Sequence, residues 1–203
     1  MGKIEITKKV LGICATNCYT VVDTETKEAL IIDPADRADV LIRDWKDKGV
    51  TPTTVLLTHG HFDHIGALDG VKKEYPDIKV YAAAEEKEVM ESPALNLSSS
   101  FGAAFTAQAD IYLEDSAEIE VLGRKCKCLL VPGHTKGGMC YYFPEEHVVF
   151  TGDTLFCYSV GRTDFPTGDA KALEDAIREK LFVLPGHDAQ TMIGKEKTGN
   201  PYF

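Results

Sequence analysis

Residues 56–67 read LLTHGHFDHIGA, and in this stretch His59, His61, Asp63 and His64 occupy four of six consecutive positions directly after an apolar run. A strand-to-helix turn needs only Gly, Ser or Asn, so nothing about folding asks for clustered imidazoles. The cluster holds three of the six histidines of the chain. Two more recur in similar surroundings: LLVPGHT carries His134 and FVLPGH carries His187, while VVFTGDT carries Asp153. Each motif is an apolar run that stops at a turn bearing His or Asp. If neighbouring strands end on one rim, these side chains converge while the buried strands hold them rigid.

His59, His61, Asp63, His64, His134, Asp153 and His187 make seven imidazole and carboxylate donors. That is too many for one tetrahedral zinc and suits two metals sharing a bridging carboxylate. Alternation places His59 and His61 on one side, and the turn after them can deliver Asp63 and His64 to a second ion. His147, in the PEEH turn, reads as an ordinary surface histidine.

The rest of the chain frames these motifs. Short strands are expected near 4–10, at 18–22 and at 29–33, a helix over 37–48 capped by Gly49, and a further helix over 65–75. IKVYAA reads as a strand and AEEKEVMES as an acidic helix stopped by Pro93, whereas 93–109 has no clean period. The second half alternates strands at IYL, EIEVL, CKCLLV, MCYYF and VVF, then a helix over 169–180 and a last strand at LFVLPGH. Two β-rich halves with interspersed helices predict two packed sheets with helices outside.

Composition sets outer limits. The 203 residues are 44% hydrophobic, ample for a packed core, and the net charge of -10 with no Lys/Arg run longer than two excludes a basic nucleic-acid surface. No apolar stretch approaches the roughly 18 residues of a membrane span, and Met1–Val10 has no signal-like apolar segment. A cytoplasmic protein with no membrane partner is expected. The six cysteines form no CxxC pair and are expected to be reduced, Cys126 and Cys128 as core residues on one strand face and Cys157 as a core residue.

HGHFDH, PGHT, FTGDT and the late PGH together resemble the metallo-β-lactamase superfamily, over nearly the entire chain. The resemblance implies an α+β fold, a four-layer αββα sandwich spanning 1–203 as one domain, with a metal site at the rim between the two sheets. It also implies that His59, His61 and His134 hold one metal, that Asp63, His64 and His187 hold a second, and that Asp153 bridges them. Zinc is the leading expectation, with iron or manganese as alternatives.

Within the superfamily, TNCYTV, GDTLF, SVGRTDFPTGD and GKEKTGNPYF look most like the glyoxalase II group of thioester hydrolases. β-Lactamases with Cys at the position of Asp153 and no Asp-His pair differ from this pattern, which argues against lactam hydrolysis. Glyoxalase II also carries a helical C-terminal region that helps to bind glutathione, and the 16 residues after His187 are too few for one.

The implied substrate is a small-molecule thioester, S-lactoylglutathione or a related acyl-thiol, attacked by a metal-bridging hydroxide. Two divalent ions, with Asp63 and Asp153 as the catalytic carboxylates and the hydroxide, leave a charge of about +1 to meet a developing oxyanion. A thiolate, with a parent pKa of roughly 8.5, leaves without prior protonation. Lys136, Tyr141, Tyr158 and Arg162 are candidate substrate contacts, although Arg162 and Asp164 read first as a structural ion pair. Two other readings stand beside this one. Persulfide dioxygenases resemble the same fold and use a single iron, here at His59, His134 and Asp153; a non-catalytic module would use its metals only to staple the fold.

Overall fold

The computed structural model describes residues 2–180; the strand expected over 181–187, with His187, lies outside them. Twelve strands and six α-helices fall in the described residues. The first sheet contains β1 (Ile4–Leu11), β2 (Thr16–Asp23), β3 (Glu28–Ile32), β4 (Thr51–Leu56), β5 (Lys79–Ala83) and β6 (Ile111–Leu113), in that spatial order. β1, β2 and β3 pair antiparallel, then β3 to β6 run parallel. Parallel neighbours need crossovers, and these are the helices: α1 (Ala38–Asp47) before β4, α2 (Phe62–Ile65) and α3 (Leu68–Glu74) before β5, α4 (Lys87–Glu91) and α5 (Ser98–Phe101) before β6.

The second sheet is antiparallel, ordered β10 (Val148–Phe150), β9 (Met139–Phe143), β8 (Arg124–Leu130), β7 (Glu118–Val121). A small hairpin, β11 (Leu155–Phe156) with β12 (Ser159–Val160), and α6 (Ala170–Lys180) follow.

Three apolar clusters show how these pieces stack. Strand alternation sends Tyr19, Leu30, Ile32 and Leu56 from the first sheet against Cys128, Met139, Tyr141 and Phe150 from the second. The opposite face of the first sheet, with Cys18, Ile31 and Val55, packs on Leu41, Trp45, Leu68 and Val71 of the helices. Leu41 and Trp45 are four apart on α1, and the Trp45 indole N–H donates to Thr20 Oγ1 at 3.0 Å. The opposite face of the second sheet, with Cys140 and Val149, packs on Leu173 and Ile177 of α6. The order is therefore helix, sheet, sheet, helix, the four-layer sandwich expected. Strands buried on both faces read as unbroken apolar runs, which is why ALII and VLL lack alternation.

The direction of the strands positions the site. β3, β4 and β5 are parallel, so Asp33, the segment 57–61 and Glu86 all follow strands ending at one edge. β8 and β10 both run antiparallel to β9, so His134 and Asp153 also follow strands with a common direction. The two edges are fastened together: Met139 N–H donates to Thr58 O at 2.8 Å and the Tyr141 hydroxyl donates to Leu57 O at 2.8 Å.

Four expectations need correction. The helix over 65–75 begins earlier and is interrupted at Gly66, where the 34–36 backbone comes so close that a Cβ would lie 2.5 Å from Ala35 O. The acidic helix is a 3-10 turn at Ala84–Glu86 running into α4. Cys157 is half-buried, outside the three clusters, while all six cysteines are free thiols. Tyr141 is not at the rim: it is fully buried between the sheets, and its hydroxyl is spent on Leu57. Tyr141→Phe orphans that carbonyl, so it is expected to destabilise the fold by about 1–3 kcal/mol in chemical denaturation while KM for any substrate stays unchanged. A changed KM at unchanged stability would return Tyr141 to the substrate.

Candidate metal centre

His59 and His61 stand in the extended segment after β4, and His61 is the residue before α2, whose first turn carries Asp63 and His64. His134 and Asp153 come from the second sheet. The structure brings six of the seven expected donors together; His187 lies outside the described residues. His59, His61 and His134 form one group with ligating atoms within 4.8 Å of one another, and His59, His64 and Asp153 form another.

The hydrogen bonds determine which nitrogen faces inward. His134 Nδ1 lies 2.6 Å from Arg162 O, and a carbonyl only accepts, so Nδ1 carries the proton and Nε2 presents a lone pair. The Thr58 hydroxyl donates to Asp33 Oδ2 at 2.7 Å, so Thr58 Oγ1 accepts from His59 Nδ1 at 3.2 Å and His59 Nε2 is bare as well. Both bare nitrogens meet His61 Nδ1, at 2.9 and 3.1 Å. One proton there satisfies one of them, and His61 Nε2 is buried with no partner. A cation at the convergence satisfies all three nitrogens, so the donor set fits a metal.

The protonation preferences agree. Burial, then the neighbouring imidazoles, hold His59 well below the usual histidine range, and burial with His134 pushes His61 down to about 3. Neutral imidazole is the ligating form.

The second group is built around His64. Its Nδ1 donates to Asp33 Oδ2 at 2.9 Å, and its Nε2 faces Asp153 Oδ1 at 3.3 Å and Asp63 Oδ2 at 3.6 Å. Burial opposes a charge on His64, but Asp63, Asp153 and Asp33 outweigh it and raise the pKa well above the ordinary value. Asp153 spans the groups, since its other oxygen lies 3.6 Å from His134 Nε2. Its backbone is held by Gly152, where φ is 48° and a Cβ would lie 2.2 Å from Thr58 Oγ1.

Three supporting residues were not singled out from the sequence. Asp33 accepts from Thr58 N–H and Oγ–H, both at 2.7 Å, besides His64. Its signal was present, since IIDP is one more apolar strand ending in Asp. Thr16 Oγ1 donates to Asp63 Oδ2 at 2.7 Å. Glu86 is fully buried and accepts from Gly60 N–H at 2.7 Å and Gly137 N–H at 2.9 Å, tying the two histidine loops together. Burial raises its pKa. Cys14 also reaches the site, with its thiol against Asp63, and burial followed by that carboxylate raises its pKa.

Asp33→Asn tests this arrangement. An amide in place of the carboxylate must point its NH2 either at Thr58 N–H or at His64 Nδ1, so it breaks a bond or reverses the His64 tautomer. Metal affinity is expected to fall about 10- to 100-fold, read by competition with a chelator. Unchanged affinity would make Asp33 a residue of the fold alone.

At the rim, Arg162 makes a two-pronged ion pair with Asp164, both bonds 2.7 Å, and its guanidinium lies 4.0 Å from the Phe165 ring. This is the structural pair that the sequence favoured. Lys136 pairs with Glu88, and Tyr158 is exposed with φ 57°. His147 is exposed in the turn before β10.

The model of the Metallo-beta-lactamase superfamily matches residues 11–187. The chain belongs to this superfamily. As a member with a His-rich site, it is a metal-dependent hydrolase. The hydroxyacylglutathione hydrolase GloC of Haemophilus influenzae is 35% identical over 200 residues, covering 92% of each chain. Two solved structures resemble it throughout. The BLEG-1 B3 metallo-beta-lactamase is 38% identical with a TM-score of 0.92, over 98% of this chain and 99% of that one. TTHA1623 in a di-iron-bound form is 32% identical with a TM-score of 0.84, over 97% and 100%. No helix among the described residues is long and apolar enough to cross a membrane.

Proposed function

We propose that this metallohydrolase cleaves a thioester, S-lactoylglutathione or a related acyl-thiol, in the manner of glyoxalase II. The observation that carries the reading is the pair of donor groups sharing His59 and spanned by the Asp153 carboxylate. His59, His61 and His134 would hold one divalent ion, and His64 and Asp63, with His187 as the resemblance implies, a second. When bound, two such ions supply Lewis acidity and a nucleophilic water at neutral pH. The chain's own residues then hold the ligands: Asp33 keeps His64 Nε2 turned inward, Thr16 orients Asp63, and the Arg162 carbonyl orients His134. Asp63 and Asp153 both face the histidine donors, and carboxylates so committed suit a thiolate, which leaves without prior protonation, better than an amide nitrogen.

A single-iron oxygenase would use His59, His134 and Asp153 and leave Asp63 and His64 unemployed, although Thr16 and Asp33 hold these two in place by hydrogen bonds. That favours the two-metal hydrolase. The test compares metal-loaded and chelated protein on S-lactoylglutathione, simple acyl thioesters and a chromogenic cephalosporin. Metal-dependent loss of thioester absorbance is expected; a protein with two ions per chain that opens the lactam and leaves every thioester intact would overturn the reading.

A further inference from the structure

Beside Asp63 a cleft of about 300 Å³ opens between the β1–β2 turn and the segment that follows α4. Its walls are chiefly apolar: Ile13 and Gly12 on one side, Phe62 and Ala35 at the base, Phe101 and Phe105 on the other. Phe62 and Phe101 stack with ring centroids 4.8 Å apart and an interplanar angle of 15°. Ile13 is 75% exposed and Phe101 49% exposed, two of the few large apolar side chains left to solvent among the described residues. Large exposed apolar side chains gathered around a concavity mark a place where something apolar is received.

The charges around the cleft narrow what that is. Its lining contains no Lys, Arg or His, and its charged members are the carboxylates Asp36 and Asp63. The rim cations Arg162 and Lys136 are paired with Asp164 and Glu88. Glutathione carries two carboxylates, and the lining of the cleft offers them no cationic side chain.

Resting on the thioester reading, we infer that this cleft is the specificity site and that it takes an uncharged, apolar arm of the substrate. Phe101 and Ile13 are the specificity-determining residues. The thioester carries such an arm either as its acyl chain or on its thiol, and the chemistry of recognition is the same: removal of methylenes or an aromatic ring from water against Phe62, Phe101 and Ile13. A fully buried methylene adds about 0.8 kcal/mol, or roughly fourfold. In a cleft open to solvent, an extension from acetyl to hexanoyl is expected to raise kcat/KM by about tenfold or more.

The experiment uses the metal-loaded full chain and two substrate series. One lengthens the acyl group on N-acetylcysteamine, and the other lengthens an alkyl thiol on a fixed acetyl group. A rise along one series supports the inference and identifies the arm. Phe101→Ala and Ile13→Ala, on opposite walls, are each expected to flatten that rise to within about twofold, so failure of one variant to fold does not remove the test. Flat profiles along both series, or S-lactoylglutathione as the best substrate of all, would overturn it. Calorimetric titration with S-hexyl and S-methyl N-acetylcysteamine thioethers, which cannot be hydrolysed, separates the two levels of argument. Hexyl binding about tenfold tighter than methyl, without turnover of any thioester, keeps the apolar site and sinks the reaction; equal binding sinks the site whatever the turnover.

Discussion

Asp153→Asn is expected to lower hydrolysis by more than 100-fold and to reduce metal content below two ions per chain. Among the described residues it is the one carboxylate that faces both donor groups, 3.3 Å from His64 Nε2 and 3.6 Å from His134 Nε2. An amide removes a negative charge from the site proposed to hold two divalent ions, and it offers one acceptor atom where two directions need one. Outer partners of metal ligands typically cost about 10- to 100-fold when removed, so a residue facing both groups directly lies beyond that range. Metal analysis alongside turnover is the measurement. A variant that keeps two ions and stays within tenfold of the parent would show that the groups are bridged by something else.

Removal of metal is expected to lower Tm by about 10 °C. A ligand present at a thousand times its Kd stabilises the folded state by about 4 kcal/mol, and each kcal/mol moves Tm by about 2–4 °C in a chain of this size. The buried donors sharpen the expectation, because without an ion a single proton on His61 Nδ1 serves only one of the facing nitrogens of His59 and His134 and leaves the other bare. Scanning calorimetry before and after exhaustive chelation reads it directly. An unchanged Tm would mean that the donor cluster is satisfied without an ion.

Much of this architecture was legible because strand ends wrote themselves as apolar runs followed by His or Asp. The chemistry of HGHFDH, PGHT and TGDT identifies donors whatever the sheet order, and six of the seven converge. What stayed hidden depends on long-range geometry. Asp33 looks like an ordinary turn residue until its carboxylate meets His64, and Glu86 looks like one more acid in an acidic segment until Gly60 and Gly137 surround it. Tyr141 misled for the opposite reason: an aromatic hydroxyl near a motif suggests a substrate contact, but strand alternation turns it between the sheets. The 93–109 segment has no period because its short helix and extended run cover a cleft rather than form a layer.

The clasp between the sheets, Met139 to Thr58 and Tyr141 to Leu57, has a consequence for the order of assembly. His61 and His134 are 73 positions apart, and they meet only after both sheets have formed and docked. Closing so long a loop costs chain entropy that only the docked sheets repay. A nascent chain that has emerged only as far as HGHFDH therefore offers an ion an incomplete set of donors and little reason to stay. Any ion that uses His61 and His134 together therefore requires the two sheets to be docked.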